Sequence, residues 1–255
     1  RMACESCQRA RGAWAGLLIG DALAMPVHWY YDRAALVREY GLVADYLTPR
    51  NPHSGSILWR SSYVAANPRG EILHEQAQYW GQRGIHYHQF LRAGENTLTA
   101  QLARLSLESI RKNGRYRADA YLDDYIAYLT TPGRHRDTYL EECHRGFFKN
   151  YAQGRPPRQC AVQEKHIGGL TPMLAVALAY HDAPAQGVQH ALEHLSLTHA
   201  GRKMESGARL ILKILFAVLA GQPLRQVLEQ RIDQQDHAFL GHPFRAWLRE
   251  EDAHV

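Results

Sequence analysis

The residue types best suited to chemistry fall in a few short segments. Gly20-Asp21-Ala22-Leu23-Ala24-Met25-Pro26-Val27-His28 sets a carboxylate in an apolar helix and an imidazole seven residues later, beyond a proline. A lone buried charge is costly, so Asp21 needs donors. Backbone amides of a neighbouring turn are the plainest ones. Gly94-Glu95-Asn96-Thr97 directly precedes an apolar stripe of helical spacing, so its side-chain oxygens project from a helix N-terminus. Such hard oxygen donors suit magnesium or calcium. The same residues also suit ordinary capping, with Asn96 or Thr97 as the cap and Glu95 favoured by the dipole.

Three further segments carry imidazoles or exposed amides. His86-Tyr87-His88, with His74 upstream, offers nitrogen ligands that together with His28 would suit zinc. Gly168-Gly169-Leu170-Thr171-Pro172 is a glycine loop opening a helix, where free N–H groups suit a phosphate. An ordinary tight turn explains it equally simply. Thr198-His199 lies in a short connection, where the histidine serves a site or caps the preceding carbonyls. Cys4-Glu5-Ser6-Cys7 is a single CxxC without a second pair, and His181-Asp182 has no companion ligands in sequence.

These segments need helices to hold them. Trp14, Leu17, Leu18 and Leu23 predict a helix over 11–23, ended or kinked by Pro26. Gly12, Gly16 and Gly20 share one face of it and predict a closely packed neighbouring backbone. Leu98, Leu102, Leu105 and Ile110 mark a second helix. Others are expected over 121–129, 138–151, 171–180, 188–197, 203–220 and 222–234, with Thr171 as an N-cap and Pro172 at the first helical position. The helix over 203–220 is apolar nearly all round in its second half and is expected to be central. Residues 45–75 are punctuated by Pro49, Asn51, Pro52, Asn67 and Pro68 and form a long irregular loop, a kind that often carries function. No run of alternating strands is evident, so the fold class is all-α, read as one domain over 1–255.

Bulk properties narrow the function classes. The longest apolar stretch, 210–219, contains Lys213 and is far short of the ~20 residues of a spanning helix, so no membrane span is expected. Arg9, Arg11 and Asp21 break any signal-peptide pattern, and four scattered cysteines make no disulfide framework; the cytoplasm is the expected compartment. The net charge of +5 is spread along the chain, which fits an anionic small molecule and gives no nucleic-acid patch. Oligomeric state is not legible.

Arg11-Gly12-Ala13-Trp14-Ala15-Gly16-Leu17-Leu18-Ile19-Gly20-Asp21-Ala22-Leu23, continued by Pro26-Val27, resembles the N-terminal signature of the ADP-ribosylglycohydrolase family, which includes dinitrogenase-reductase-activating glycohydrolase and the J-type crystallins. The glycine loop before Met173 and the Thr198-His199 turn before a long apolar helix are similar to later family landmarks. The resemblance spans residues 9–221. It implies an all-α fold, a binuclear magnesium centre, and hydrolysis of a glycosidic bond between ADP-ribose and an amino-acid side chain or another acceptor. The partner it implies is an ADP-ribose-like small molecule or an ADP-ribosylated protein. Metals would position ribose hydroxyls and a water, and helix N-termini would hold the pyrophosphate.

Against the family pattern, Gly94-Glu95-Asn96-Thr97 stands where Thr-Asp-Asp-Thr is usual, and His28 where glutamate is usual. No Asp-x-Asp-Thr-like element follows; Asp233 and Asp236 are spaced differently, which reads as a fragment or as loss of half the metal centre. The expectation is that Asp21, His28, Glu95, Asn96 and Thr97 line one cleft. Glu95, Asn96 and Thr97 are the expected metal ligands. His28, Glu95 and Asp21 are the expected catalytic groups, with His28 as acid or base. Gly168, Gly169 and His199 should bind substrate at the rim. The other outcome is a catalytically inactive, crystallin-like structural or ADP-ribose-binding protein.

Overall fold

A computed structural model describes residues 4–30, 32–50, 56 and 58–233. The fold is all-α. Its helices are α1 (Glu5–Ala24), α2 (Arg33–Tyr40), α3 (Leu98–Asn113), α4 (Ala118–Thr130), α5 (Glu142–Ala152), α6 (Leu170–Ala179), α7 (Pro184–Ser196), α8 (Arg202–Leu219) and α9 (Leu224–Asp233). A two-residue parallel pairing joins β1 (Val162–Gln163) to β2 (His199–Ala200), with Val162 opposite His199. Of the carboxylates set aside above, Asp236 lies outside the described residues.

The centre of the molecule is the packing of α6 between α3 and α7. Helix α6 buries Pro172, Met173, Ala175, Val176, Ala177 and Leu178, so it is apolar on almost every side. Helix α3 buries Leu98, Leu102 and Leu105 along one stripe and ends where Gly114 takes a left-handed conformation at φ 68°. Tyr125, Phe147 and Phe148 pack edge-on and tilted between α4 and α5, with ring centroids 5.1–5.5 Å apart. Each ring is buried, and burying a side chain of this size contributes roughly 2–3 kcal/mol.

Several expectations change here. The central position goes to α3 and α6, because the second half of α8 is only half-buried and its packing partners are α7, α9, α1 and α6. The glycine stripe of α1 admits no neighbour: a Cβ at Gly12, Gly16 or Gly20 would meet no described atom within 4 Å outside its own helix. Thr171 is not a cap. A 3₁₀ turn, Ile167–Gly169, runs directly into α6 and places Thr171 inside the first turn. Helix α5 starts at Glu142, because the segment before it is extended and anchors a buried carboxylate, Asp137. Helix α2 carries no expectation from sequence: it is short and buries only Ala35 and Tyr40, and its start is set by Asp32, which accepts from the Ala35 N–H at 3.0 Å.

Candidate active site

The C-terminal end of α1 and the N-termini of α3, α5 and α6 converge on one cleft of ≈ 820 Å³. Its walls include Asp21, His28, Thr97, Thr99, Glu141, His166, Gly168 and Thr171. Four helix ends around one cavity come from sequence positions far apart, which explains why the residues gather only in the fold.

Asp21 organises the α1–α3 corner. Its Oδ2 accepts the Thr97 N–H at 2.8 Å and the Asn96 amide at 3.0 Å, and its Oδ1 accepts the Thr97 hydroxyl at 2.6 Å. Asn96 also donates to the Leu18 carbonyl at 2.7 Å. The carboxylate therefore caps α3 from another helix, which satisfies orphan N–H groups that no local residue reaches.

His28 sits at the end of a buried relay. Its Nδ1 lies 2.5 Å from His88 Nε2, and His88 Nδ1 lies 2.6 Å from Asp137 Oδ1. His88 and Asp137 are buried. Asp137 Oδ2 accepts the Leu98 N–H at 2.7 Å, so the same carboxylate holds the start of α3. A carboxylate at the buried end sets the tautomers: His88 donates from Nδ1, its Nε2 accepts from His28 Nδ1, and the lone pair of His28 falls on Nε2. His86 fixes the approach, with Nε2 2.9 Å from the Pro26 carbonyl and Nδ1 accepting the His88 N–H at 3.0 Å. Next to His28, Trp29 is held at φ 65°, a strained conformation for a bulky residue. This histidine set does not form a zinc site: His28 and His88 touch directly, and His86 is engaged with the backbone.

The opposite wall carries Glu141, which caps no orphan with its side chain but accepts the Thr99 hydroxyl at 3.2 Å. Burial raises its carboxyl above the ordinary range. Gly168 lies against it, since a Cβ there would come 2.0 Å from Glu141 Oε2. Gly169 lies against His199 in the same way, 2.5 Å from Nδ1. His199 is buried behind the wall and not at the rim. Glu164 accepts from the Lys165 and His166 N–H groups and pairs with the His166 ring at 2.7 Å.

The expected metal ligands split between two cavities. Thr97 faces the cleft. Glu95 and Asn96 line a separate cavity of ≈ 590 Å³ with Arg104, His135 and Arg136. Glu95 accepts the Arg92 N–H at 2.8 Å and pairs with the Arg136 guanidinium. Asn96 offers its oxygen to Arg104 at 3.3 Å, and the Thr97 hydroxyl donates to Asp21. A magnesium half-site needs several free oxygens facing one point. Engaged as they are with Arg92, Arg136, Arg104 and Asp21, these residues do not supply them. Among the described residues, the groups with metal-ligand spacing are Glu141, Cys143 and His144, and Glu142, Glu164 and His166.

The family model for ADP-ribosylglycohydrolase matches residues 4–253. This chain is a member of the ADP-ribosylglycohydrolase family. No curated protein gives a significant match. The all-α architecture agrees with the family, as does the hydrolase class in general. Among the described residues, no helix is long and apolar enough to cross a membrane.

Within this ADP-ribosylglycohydrolase-family fold, Asp21, His28, Thr97 and Gly168 share the cleft. Glu95, Asn96, Gly169 and His199 do not line it. Two important residues carry no expectation from sequence: Asp137, which completes the relay, and Glu141, which makes the wall, while His88, expected as a zinc ligand, instead links His28 to Asp137. Glu141 had a legible signal, an acid directly before a helix in Leu140-Glu141-Glu142-Cys143-His144. Asp137 had none, because its partners lie 39 and 49 residues away.

Proposed function

We propose that this chain hydrolyses an N- or O-glycosidic bond of an ADP-ribosyl or related nucleotide-sugar group in the ≈ 820 Å³ cleft, in the cytoplasm. The observation that carries this reading is the relay Asp137–His88–His28, which ends on a residue of the cleft wall. His28, at the cleft end of the relay, is placed to act as base toward a water. The charge that develops is shared through His88 with the Asp137 carboxylate, as in other carboxylate-oriented imidazoles. Glu141, with its carboxyl raised by burial, is suited to donate a proton to the departing group. Lys165 and the N–H groups opening α6 suit the pyrophosphate. Asp21 and Thr97 act by holding α3 in place.

A second reading is ADP-ribose binding without turnover. The Glu95–Arg136 ion pair favours it, because it neutralises the acid expected to hold a metal. The test is calorimetric titration of ADP-ribose with and without magnesium, followed by release of ADP-ribose from ADP-ribosylated peptides. Binding together with release that falls about 100-fold or more in His28→Gln supports hydrolysis. Binding without release supports the second reading. No binding under either condition overturns both.

A further inference from the structure

Behind the cleft wall lies an enclosed cavity of ≈ 20 Å³, enough for one water-sized sphere. Glu141, Cys143, His144 and His199 line it. We propose that these four residues form a closed binding site for one divalent cation of the zinc class. The proposal does not depend on the glycosidic reading; with the cation bound Glu141 is ionised, so its role as proton donor belongs to the cation-free protein.

The geometry comes first. A carboxylate oxygen of Glu141, Cys143 Sγ and a ring nitrogen of His144 lie within 4.8 Å of one another. Tetrahedral zinc at about 2.0–2.3 Å from each ligand needs these atoms somewhat closer, a change within reach of side-chain rotation. His199 supplies an independent pointer. It is 4% exposed, and its Nε2 is buried without a hydrogen-bond partner. Both imidazoles are oriented from outside: the Tyr125 hydroxyl sits 2.7 Å from His144 Nδ1, and the Thr198 hydroxyl 2.8 Å from His199 Nδ1. Such partners commonly fix the ring of a metal ligand.

The loop is built to leave this space open. Gly168 and Gly169 do not have a left-handed backbone, so conformation does not require glycine. Both are instead pressed against the proposed ligand side chains, Gly168 against the Glu141 carboxylate and Gly169 against the Nδ1 side of the His199 ring. A cation entering this space meets a carboxylate, a thiol and two imidazoles. Its binding replaces the Cys143 S–H bond with a metal–thiolate bond, and the proton leaves to solvent. A thiolate and two imidazoles select zinc over magnesium.

The experiment uses the full chain with Cys4→Ser and Cys7→Ser, which removes the thiol pair of the Cys4–Cys7 segment. The protein is stripped with chelator and titrated with cobalt(II), then with zinc against a chromophoric chelator. One equivalent of cobalt with a thiolate-to-cobalt absorption band, displaced by zinc, is expected. In Cys143→Ser the band should vanish. In His199→Ala zinc affinity should fall at least 10-fold. Should Cys143→Ser not fold, the band in the parent protein and the His199→Ala affinity decide the matter. No stoichiometric binding, binding without the thiolate band, or unchanged affinity in His199→Ala would each overturn the proposal and leave the cavity to a water molecule.

Discussion

Thr97 donates to Asp21 twice, from its backbone N–H at 2.8 Å and from its hydroxyl at 2.6 Å, so a carboxylate on one helix closes the N-terminus of another. Removing it leaves the donors of Thr97 and Asn96 unpaired. Unpaired buried donors cost about 1–3 kcal/mol each, more when the lost partner was charged. Asp21→Ala should therefore lose about 2–4 kcal/mol, which for a chain of this size lowers Tm by roughly 5–15 °C. Calorimetric or circular-dichroism melts measure this directly. Asp21→Asn should lose less, since one oxygen still accepts.

The relay makes a separate prediction about Asp137. His88→Gln and Asp137→Asn should lower turnover by about 100-fold or more while leaving the ADP-ribose dissociation constant within about threefold. Steady-state kinetics paired with calorimetry separates the two. A loss confined to affinity would assign the relay to ligand binding.

The glycines divide into two kinds, and substitution to alanine should separate them. At Gly16 a Cβ meets open space in an exposed helix interior, so Gly16→Ala should stabilise by about 0.5–1 kcal/mol. At Gly169 a Cβ would fall 2.5 Å from His199 Nδ1 and 2.9 Å from Leu195 Cδ1, so Gly169→Ala should destabilise by about 1–3 kcal/mol. Urea midpoints report the opposite signs.

Acidification should unfold the metal-free chain. Burial lowers His194 to about 3, His144 to about 3 and His199 to about 4, from 6.5. Between those values and 6.5 the unfolded chain binds more protons than the folded one, so stability falls as pH drops through that window. Each histidine contributes roughly 1 kcal/mol or more per pH unit there. His194→Gln, which cannot titrate, should make the slope shallower, with His135, His144 and His199 carrying the remainder. Stability measured by urea titration from pH 7 to pH 4 is the check.

The helices were legible in the sequence because 3.6-residue periodicity depends on local pattern: Leu98, Leu102 and Leu105 bury as their spacing says. The rank order of burial was not. The second half of α8 is nearly as apolar as α6, yet α6 is buried between α3 and α7 while that half of α8 stays half-buried, and neighbours are a tertiary property. In the site, Asp21 and His28 were readable because an ionisable group in an apolar context needs a partner. The use of Asp21 as a helix cap follows the plainer of its two readings. The Glu95-Asn96-Thr97 run was misleading as a cluster, because adjacent residues at a helix start point in different directions. Asp137, one polar residue in a charged loop, became identifiable only through its partners.

Asp137 joins two jobs in one carboxylate: Oδ2 receives the first amide of α3 and Oδ1 receives His88. The proton order along the two imidazoles is thus established by the same event that docks the central helix. A molecule that has assembled α3 has also prepared His28, and one that has not is unready in both respects. Substitutions at Asp137 would consequently reach a cell as low abundance and low turnover together, and a lineage abandoning the chemistry could not discard this residue without also weakening its scaffold.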